Sequence, residues 1–154
     1  MKKFFKGFGY ALRGMLLCFA GERNFRFHVV FACFVFYLSR FFGLTASEYA
    51  ILAFACGLVI FAEAINTAIE HTVDLACDKI HPTARNAKDI SAGAVLITAL
   101  TAIAVGILLL CRAQGFANMY DYYSAALHRP ILLALAIVAG FVVVFVIPEK
   151  KKKK

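Results

Sequence analysis

The chain has 154 residues, of which 62% are hydrophobic and only 17% charged, with 16 phenylalanines and no tryptophan. A soluble domain of this length has too little interior to hide that much apolar surface, so a membrane is the expected solvent. The net charge is +8, but no hydrophilic module carries a basic face, so no nucleic acid partner is expected.

Residues 2–19, "KKFFKGFGYALRGMLLCF", set Phe4, Phe8, Ala11, Leu12, Met15 and Phe19 on one helical face and Lys2, Lys6 and Arg13 opposite. That pattern predicts an amphipathic helix lying on the membrane surface. Lysines interrupt its apolar residues, so no cleavable signal peptide is expected. Four spans are predicted, over 26–44, 48–77, 89–111 and 131–147. Gly43 makes an outer turn after the first, with Thr45 or Ser47 placed to cap the next helix. The second helix is too long for a bilayer: its 30 residues reach about 45 Å against roughly 30 Å of hydrocarbon. With Glu48 at the outer surface, Glu63 lies about 22 Å deep. Pro82 closes that helix, and the next follows from about Arg85 with a polar start that includes Lys88 and Asp89. Residues 113–130 read as an outer loop or short interfacial helix, with Tyr120, Tyr122 and Tyr123 in the headgroup belt. The last span, "ILLALAIVAGFVVVFVI", is bounded by Pro130 and Pro148 and holds no ionisable group. It reads as an anchor, so a chain ending near Tyr120 is expected to keep its activity.

The basic residues sort by side. Of 17 lysines and arginines, fourteen fall on one face: Lys2, Lys3, Lys6, Arg13, Arg23 and Arg26, then Lys79, Arg85 and Lys88, then the run 150–154. Only Arg40, Arg112 and Arg129 remain for the other. This asymmetry predicts cytoplasmic termini and a cytoplasmic 78–88 connection. The five cysteines stand singly in apolar stretches without a CxxC pair and read as small packing residues.

Glu63, Asn66, Glu70 and Asp74 are spaced by three, four and four, which puts them in one stripe within an arc of about 80°. A carboxylate at membrane depth costs roughly 2.5–3.5 kcal/mol or more, so it must face protein or a wet cavity. Carboxylates suit a hard cation such as Mg²⁺, whose remaining ligands are commonly phosphate oxygens. Glu22 lies on the same side and adds another oxygen donor. Lys79 and Lys88 suit phosphate, and the deep Glu63 suits a general base for a hydroxyl. Together these parts fit phosphoryl transfer at a membrane surface, although no P-loop is present. A proton-coupled transporter or channel subunit also uses buried glutamates, but broken helices and inverted repeats are missing.

"ERNFRFH", "EAINTAIEHTVD" and "ARNAKDISAGAVLI" resemble the prokaryotic diacylglycerol kinase family over about residues 3–112. The resemblance implies an all-α integral membrane protein of the bacterial cell (inner) membrane. A surface helix and a three-span kinase core, residues 1–114, would carry an additional C-terminal transmembrane helix and basic tail, residues 115–154. It implies a homotrimer with sites shared between neighbours, ATP as co-substrate with Mg²⁺, and a membrane lipid as acceptor. Carried over by position, Glu63 matches the catalytic base, and Glu22 and Glu70 match the metal-binding carboxylates. Tyr10, Asn66, Asp74, Lys88 and Asp89 match nucleotide-site or supporting positions, with Glu22 and Glu70 also beside ATP. Lys79 and His81 fall in the nucleotide-contacting stretch, and Asn24 and Arg26 fall where lipid enters, next to Glu63. His28 stands where the diacylglycerol-specific enterobacterial type has a glutamate, and "NFRFH" resembles the Gram-positive, undecaprenol kinase-like branch. Undecaprenol is therefore the expected acceptor, with diacylglycerol the alternative. Lys3 replaces an arginine, keeping charge but losing the bidentate fork. The remaining histidines, His71 and His128, read as ordinary polar positions.

Overall fold

Helix starts and stops follow the local chemistry of a few residues. A computed structural model describes residues 2–77 and 81–148, with side chains from residue 5 onward. Its regular elements are α1 (Lys2–Gly21), α2 (Arg23–Ser39), α3 (Ala46–Ala76), α4 (Pro82–Leu110), α5 (Ala113–Ser124) and α6 (His128–Phe141). The last of these runs into a π-helical stretch, Val142–Val146. Lys79 and the run 150–154 lie outside the described residues.

Glu22 separates α1 from α2. Its backbone is extended (φ −116°, ψ 118°), and it caps α2 without a hydrogen bond from its side chain. Its carboxylate is therefore left for other partners. At the far end of α2 the chain turns through Gly43, whose φ of 59° favours a residue without Cβ. Thr45 then opens α3 with a capping box. Its hydroxyl accepts from the Glu48 amide (3.3 Å), and the Glu48 carboxylate accepts from the Thr45 amide (2.8 Å). Glu48 also pairs with Arg112, just before α5, which ties the N-terminal end of α3 to the chain leaving α4. At the other end, Pro82 occupies the first turn of α4 while His81 Nδ1 accepts from the Thr83 amide at 3.3 Å.

Among the described residues, three helices are long and apolar enough to cross a membrane: α3, α4 and His128–Val146. The first expected span, 26–44, is shorter than its hydropathy suggested. Helix α2 has 17 residues and stops at Ser39, giving about 26 Å of length. The last apolar residues of that run, Phe41 and Phe42, belong to the turn. Beside it Arg40 stacks over Tyr37 (4.2 Å), Phe41 (4.7 Å) and Tyr122 (4.8 Å), and the Tyr37 and Tyr123 hydroxyls meet at 2.9 Å. Conversely, α4 begins at Pro82, just ahead of the start expected near Arg85, and its first two turns are helical but polar, so they precede the apolar span 89–111. Hydropathy marks where hydrocarbon begins, not where a helix does. The expected boundary after residue 114 falls inside α5.

Helices α3 and α4 form a long antiparallel hairpin, α2 packs on α3, and the π-helical end of the last segment packs on α2. Gly140 makes that docking close, since a Cβ there would stand 2.9 Å from Val30 Cγ1 and 3.1 Å from Phe34 Cε2. Leu52, Ala55 and Val59 of α3 are buried with Ala32 of α2. Between α2, α3 and α4 an apolar cavity of about 650 Å³ remains, lined by residues that include Phe31, Leu52, Val59 and Ile103, with Phe116 and Met119 of α5.

Helix α5 makes one close approach to the turn that follows α2. A Cβ on Gly115 would lie 2.1 Å from Phe42 Cδ1, so Gly115→Val must displace that ring. We expect a loss of about 1–3 kcal/mol, read as a lower thermal unfolding midpoint in micelles.

Candidate functional site

The polar stripe of α3 is realised as one helical face that grades from buried to exposed. Glu63 is 3% exposed and Asn66 is 7% exposed. Glu70 is half-buried and Asp74 is exposed. The Asn66 side-chain amide donates to Glu70 Oε1 at 3.0 Å, the i,i+4 contact that the spacing requires. Its carbonyl oxygen accepts from the Ser91 hydroxyl of α4 at 2.6 Å, with the Lys88 carbonyl 2.9 Å from that hydroxyl as a second acceptor. Both functions of the Asn66 amide are thus satisfied, which fixes its orientation. One turn further out, Lys88 forms an ion pair with Asp74. The stripe is therefore fastened to α4 at two levels.

The corner between α1 and α2 faces the same stripe. The Asn24 side chain reaches the Glu63 carboxylate, and Glu22 and Glu70 both lie near enough to act on its charge. Glu22 Oε1 stands 3.6 Å from His71 Nε2, an ion pair whenever the imidazole is protonated. Burial and the neighbouring Glu22, with Glu63 further off, push the Cys18 thiol above its ordinary value, so Cys18 is a poor nucleophile. Three carboxylates, Glu22, Glu63 and Glu70, therefore converge from two parts of the chain. Among the described residues no group of three or more His, Cys, Asp or Glu side chains is arranged to hold a metal by itself. Glu22 and Glu70 nevertheless suit a hard divalent cation whose other ligands are phosphate oxygens and water.

The remaining expected positions are more dispersed. Asp89 pairs with Arg85 at 3.8 Å on the exposed side of α4. Tyr10 is exposed on α1, and His81 caps α4. His28 packs edge-on to Phe27 at 5.4 Å and lines the apolar cavity. Arg26, expected where lipid enters, is 1% exposed, and its guanidinium is engaged by backbone carbonyls. Lys79 lies outside the described residues. Two neighbours of the site have no signal in the sequence. Ser91 sits three residues after Lys88 and looks like any small residue in an apolar run. His71 follows Glu70 directly, so only the fold shows that it reaches Glu22.

A family model described as prokaryotic diacylglycerol kinase matches residues 9–110. That stretch contains the stripe, Ser91 and the α1–α2 corner. The chain belongs to the prokaryotic diacylglycerol kinase family. Within that family it is 42% identical over 109 residues to an undecaprenol kinase of Bacillus subtilis, covering 71% of this chain and 89% of that one. It is 41% identical over 104 residues to a diacylglycerol kinase of Synechocystis, covering 67% of this chain and 59% of that one. A diacylglycerol kinase of Escherichia coli is 29% identical over 105 residues, covering 68% of this chain and 86% of that one. No solved structure matches. Family membership makes the chain a lipid kinase of the membrane, and α5, α6 and the π-helical end lie beyond the family's module.

The Ser91–Asn66 contact gives a direct test of how the stripe is held. Asn66→Ala and Ser91→Ala should show a coupling of about 0.5–3 kcal/mol in a double-mutant cycle, measured on thermal unfolding in micelles. Simple additivity would mean that the two side chains do not interact.

Proposed function

We propose that this lipid kinase phosphorylates the hydroxyl of undecaprenol with ATP in the presence of Mg²⁺, Glu63 acting as general base. The observation that carries the reading is the placement of Glu63. It is 3% exposed at the deep end of a polar stripe whose other end, Asp74, is exposed. A base in that place meets a hydroxyl carried in hydrocarbon, while the nucleotide stays on the aqueous side.

The chemistry follows from that gradient. Glu63 takes the acceptor's hydroxyl proton as its oxygen attacks the γ-phosphorus of ATP. The bond from γ-phosphorus to the β–γ bridging oxygen breaks, and ADP leaves with that oxygen. The products are lipid phosphate, ADP and a protonated Glu63 that returns its proton to water. Asn24 contacts the carboxylate and orients it, and Asn66 holds Glu70. Glu22 and Glu70 would hold Mg²⁺, which when bound neutralises charge on the phosphate oxygens. Lys88, held by Asp74 at the stripe's exposed end, offers positive charge to the nucleotide. Tyr10 and Asp89 are exposed in the single chain. A site shared between neighbouring chains of a homotrimer would account for their exposure.

The acceptor rests on similarity and on His28. The relative named undecaprenol kinase shares 42% identity over most of both chains, and His28 sits beside an apolar cavity. Diacylglycerol is the second reading, favoured by a relative of that name at 41% identity. Purified protein in mixed micelles, given undecaprenol and diacylglycerol side by side with labelled ATP, decides between them. Faster phosphorylation of diacylglycerol would reverse our choice.

Two further outcomes are expected. Glu63→Gln keeps the shape but removes the base, and turnover should fall at least about a hundredfold with little change in Mg-ATP affinity. Near-normal turnover would remove Glu63 from this role. Glu22→Gln and Glu70→Gln should each move the Mg²⁺ midpoint of activity upward, because a neutral amide binds a hard cation poorly. An unchanged midpoint in both would assign the metal to other ligands.

A further inference from the structure

The last segment does more than anchor. Arg26, near the start of α2, carries a charge into a place where it is 1% exposed, and among the described residues no carboxylate stands within ion-pair distance of it. Its partners are backbone carbonyls at two helix ends. Nη1 donates to the Phe19 and Ala20 carbonyls at the end of α1, at 3.3 Å each. Nη2 donates to the Val144 and Ile147 carbonyls at the end of the last segment, at 3.4 and 2.9 Å.

Each helix C-terminus offers unpaired carbonyls and roughly half a negative charge. Two such ends answer one guanidinium. Sequence explains why the second end lies there. Pro148 supplies no amide to continue the helix and holds Ile147 extended (φ −68°, ψ 117°). The final carbonyls are thereby left open. Gly140 sets the axial register, because it admits Val30 and Phe34 where a Cβ would nearly touch them. Arg23 adds a weaker contact, its guanidinium 6.0 Å from the Phe145 ring centroid.

We infer that the carbonyl-bearing end of the last segment, residues 144–147, is a positioning element for the candidate site. It clamps Arg26, and through Arg26 the α1–α2 corner that presents Glu22 and Asn24 to the carboxylate cluster. At the corner, α1 and α2 are joined by a single residue in extended conformation, Glu22. Arg26 bridges that joint, from α2 back to the end of α1. The C-terminal segment is thus a working part of a site whose chemistry lies wholly within the family's module. This inference rests on the proposed role of Glu22 in holding Mg²⁺. It replaces the expectation that a chain ending near Tyr120 keeps its full activity.

The test uses the full chain in micelles. Gly140→Leu pushes the last segment off α2 without altering Arg26 or any proposed ligand, and Arg26→Ala removes the clamp from the other side. Both should raise hydrogen exchange at the amides of residues 22–27 while leaving the α3–α4 hairpin protected. Both should also raise the Mg²⁺ midpoint at least about threefold, and the double variant should do no more than either alone. Arg26→Lys, which keeps charge but not the fork, should recover part of the effect. Unchanged exchange at residues 22–27 in Gly140→Leu would overturn the clamp. Raised exchange with an unmoved Mg²⁺ midpoint in an active protein would overturn its link to the site. If the wild-type chain phosphorylated no lipid, the kinase reading would fall, and the exchange comparison would still decide whether the clamp holds.

Discussion

A carboxylate cannot be left alone in hydrocarbon, and Glu63 organises its surroundings around that constraint. Its helix must turn the acid toward protein, so α2 and the α1–α2 corner have to close over it, and α4 has to take up the polar groups that follow. The solution is a gradient. Burial is greatest at Glu63 and fades through Asn66 and Glu70 to Asp74, while the partners change from neutral amide and hydroxyl to a full ion pair with Lys88. Neutral hydrogen bonds serve where desolvation is costly, and charges appear where water can share them. Such a gradient suits the proposed mechanism, in which one helix connects an oil-soluble acceptor with a water-soluble donor.

Much of this is legible in the sequence because helical spacing and membrane cost are strong rules. The three-four-four spacing by itself puts the stripe on one face, and the fold adds the amide contact from Asn66 to Glu70. A cap at Thr45 or Ser47 is legible from residue types, and the fold selects Thr45 and completes a capping box with Glu48. The extent of α2 does not, because Phe41 and Phe42 are apolar enough to read as span while the backbone has already begun to turn toward Gly43. The start of α4 lies ahead of its apolar span, its first turns being helical without being greasy, and it is legible near Arg85 only through its polar residues. Hydrophobicity reports solvent, and solvent boundaries coincide with helix ends only when caps happen to lie there.

Partnerships across the chain are less legible. Ser91 and His71 contribute through neighbours 25 and 49 residues away in sequence, Asn66 and Glu22, and neither has a local signature. Arg26 shows the limit most clearly. The charge asymmetry counts it with the basic residues of one side, and the family resemblance puts it where lipid enters. The structure instead gives it four carbonyls from two helix ends. Backbone acceptors have no letter in the sequence. Only Pro148, which leaves them unpaired, hints that they exist.

Glu22 carries a consequence of another kind. As the capping residue of α2 it makes no side-chain bond to the helix, whereas a serine, threonine or aspartate in such a position commonly contributes about 1 kcal/mol. The corner is therefore less stable than its backbone would permit, and the forgone stability is what leaves a carboxylate free to face Glu63 and His71. A search for more heat-resistant variants would be drawn to this position, since better caps are easy to find there. On the role proposed for Glu22, it would select robust proteins with an impaired centre. Measured by survival in detergent, residue 22 would look like a flaw in the design; measured by turnover, it would look like the reason for the bend.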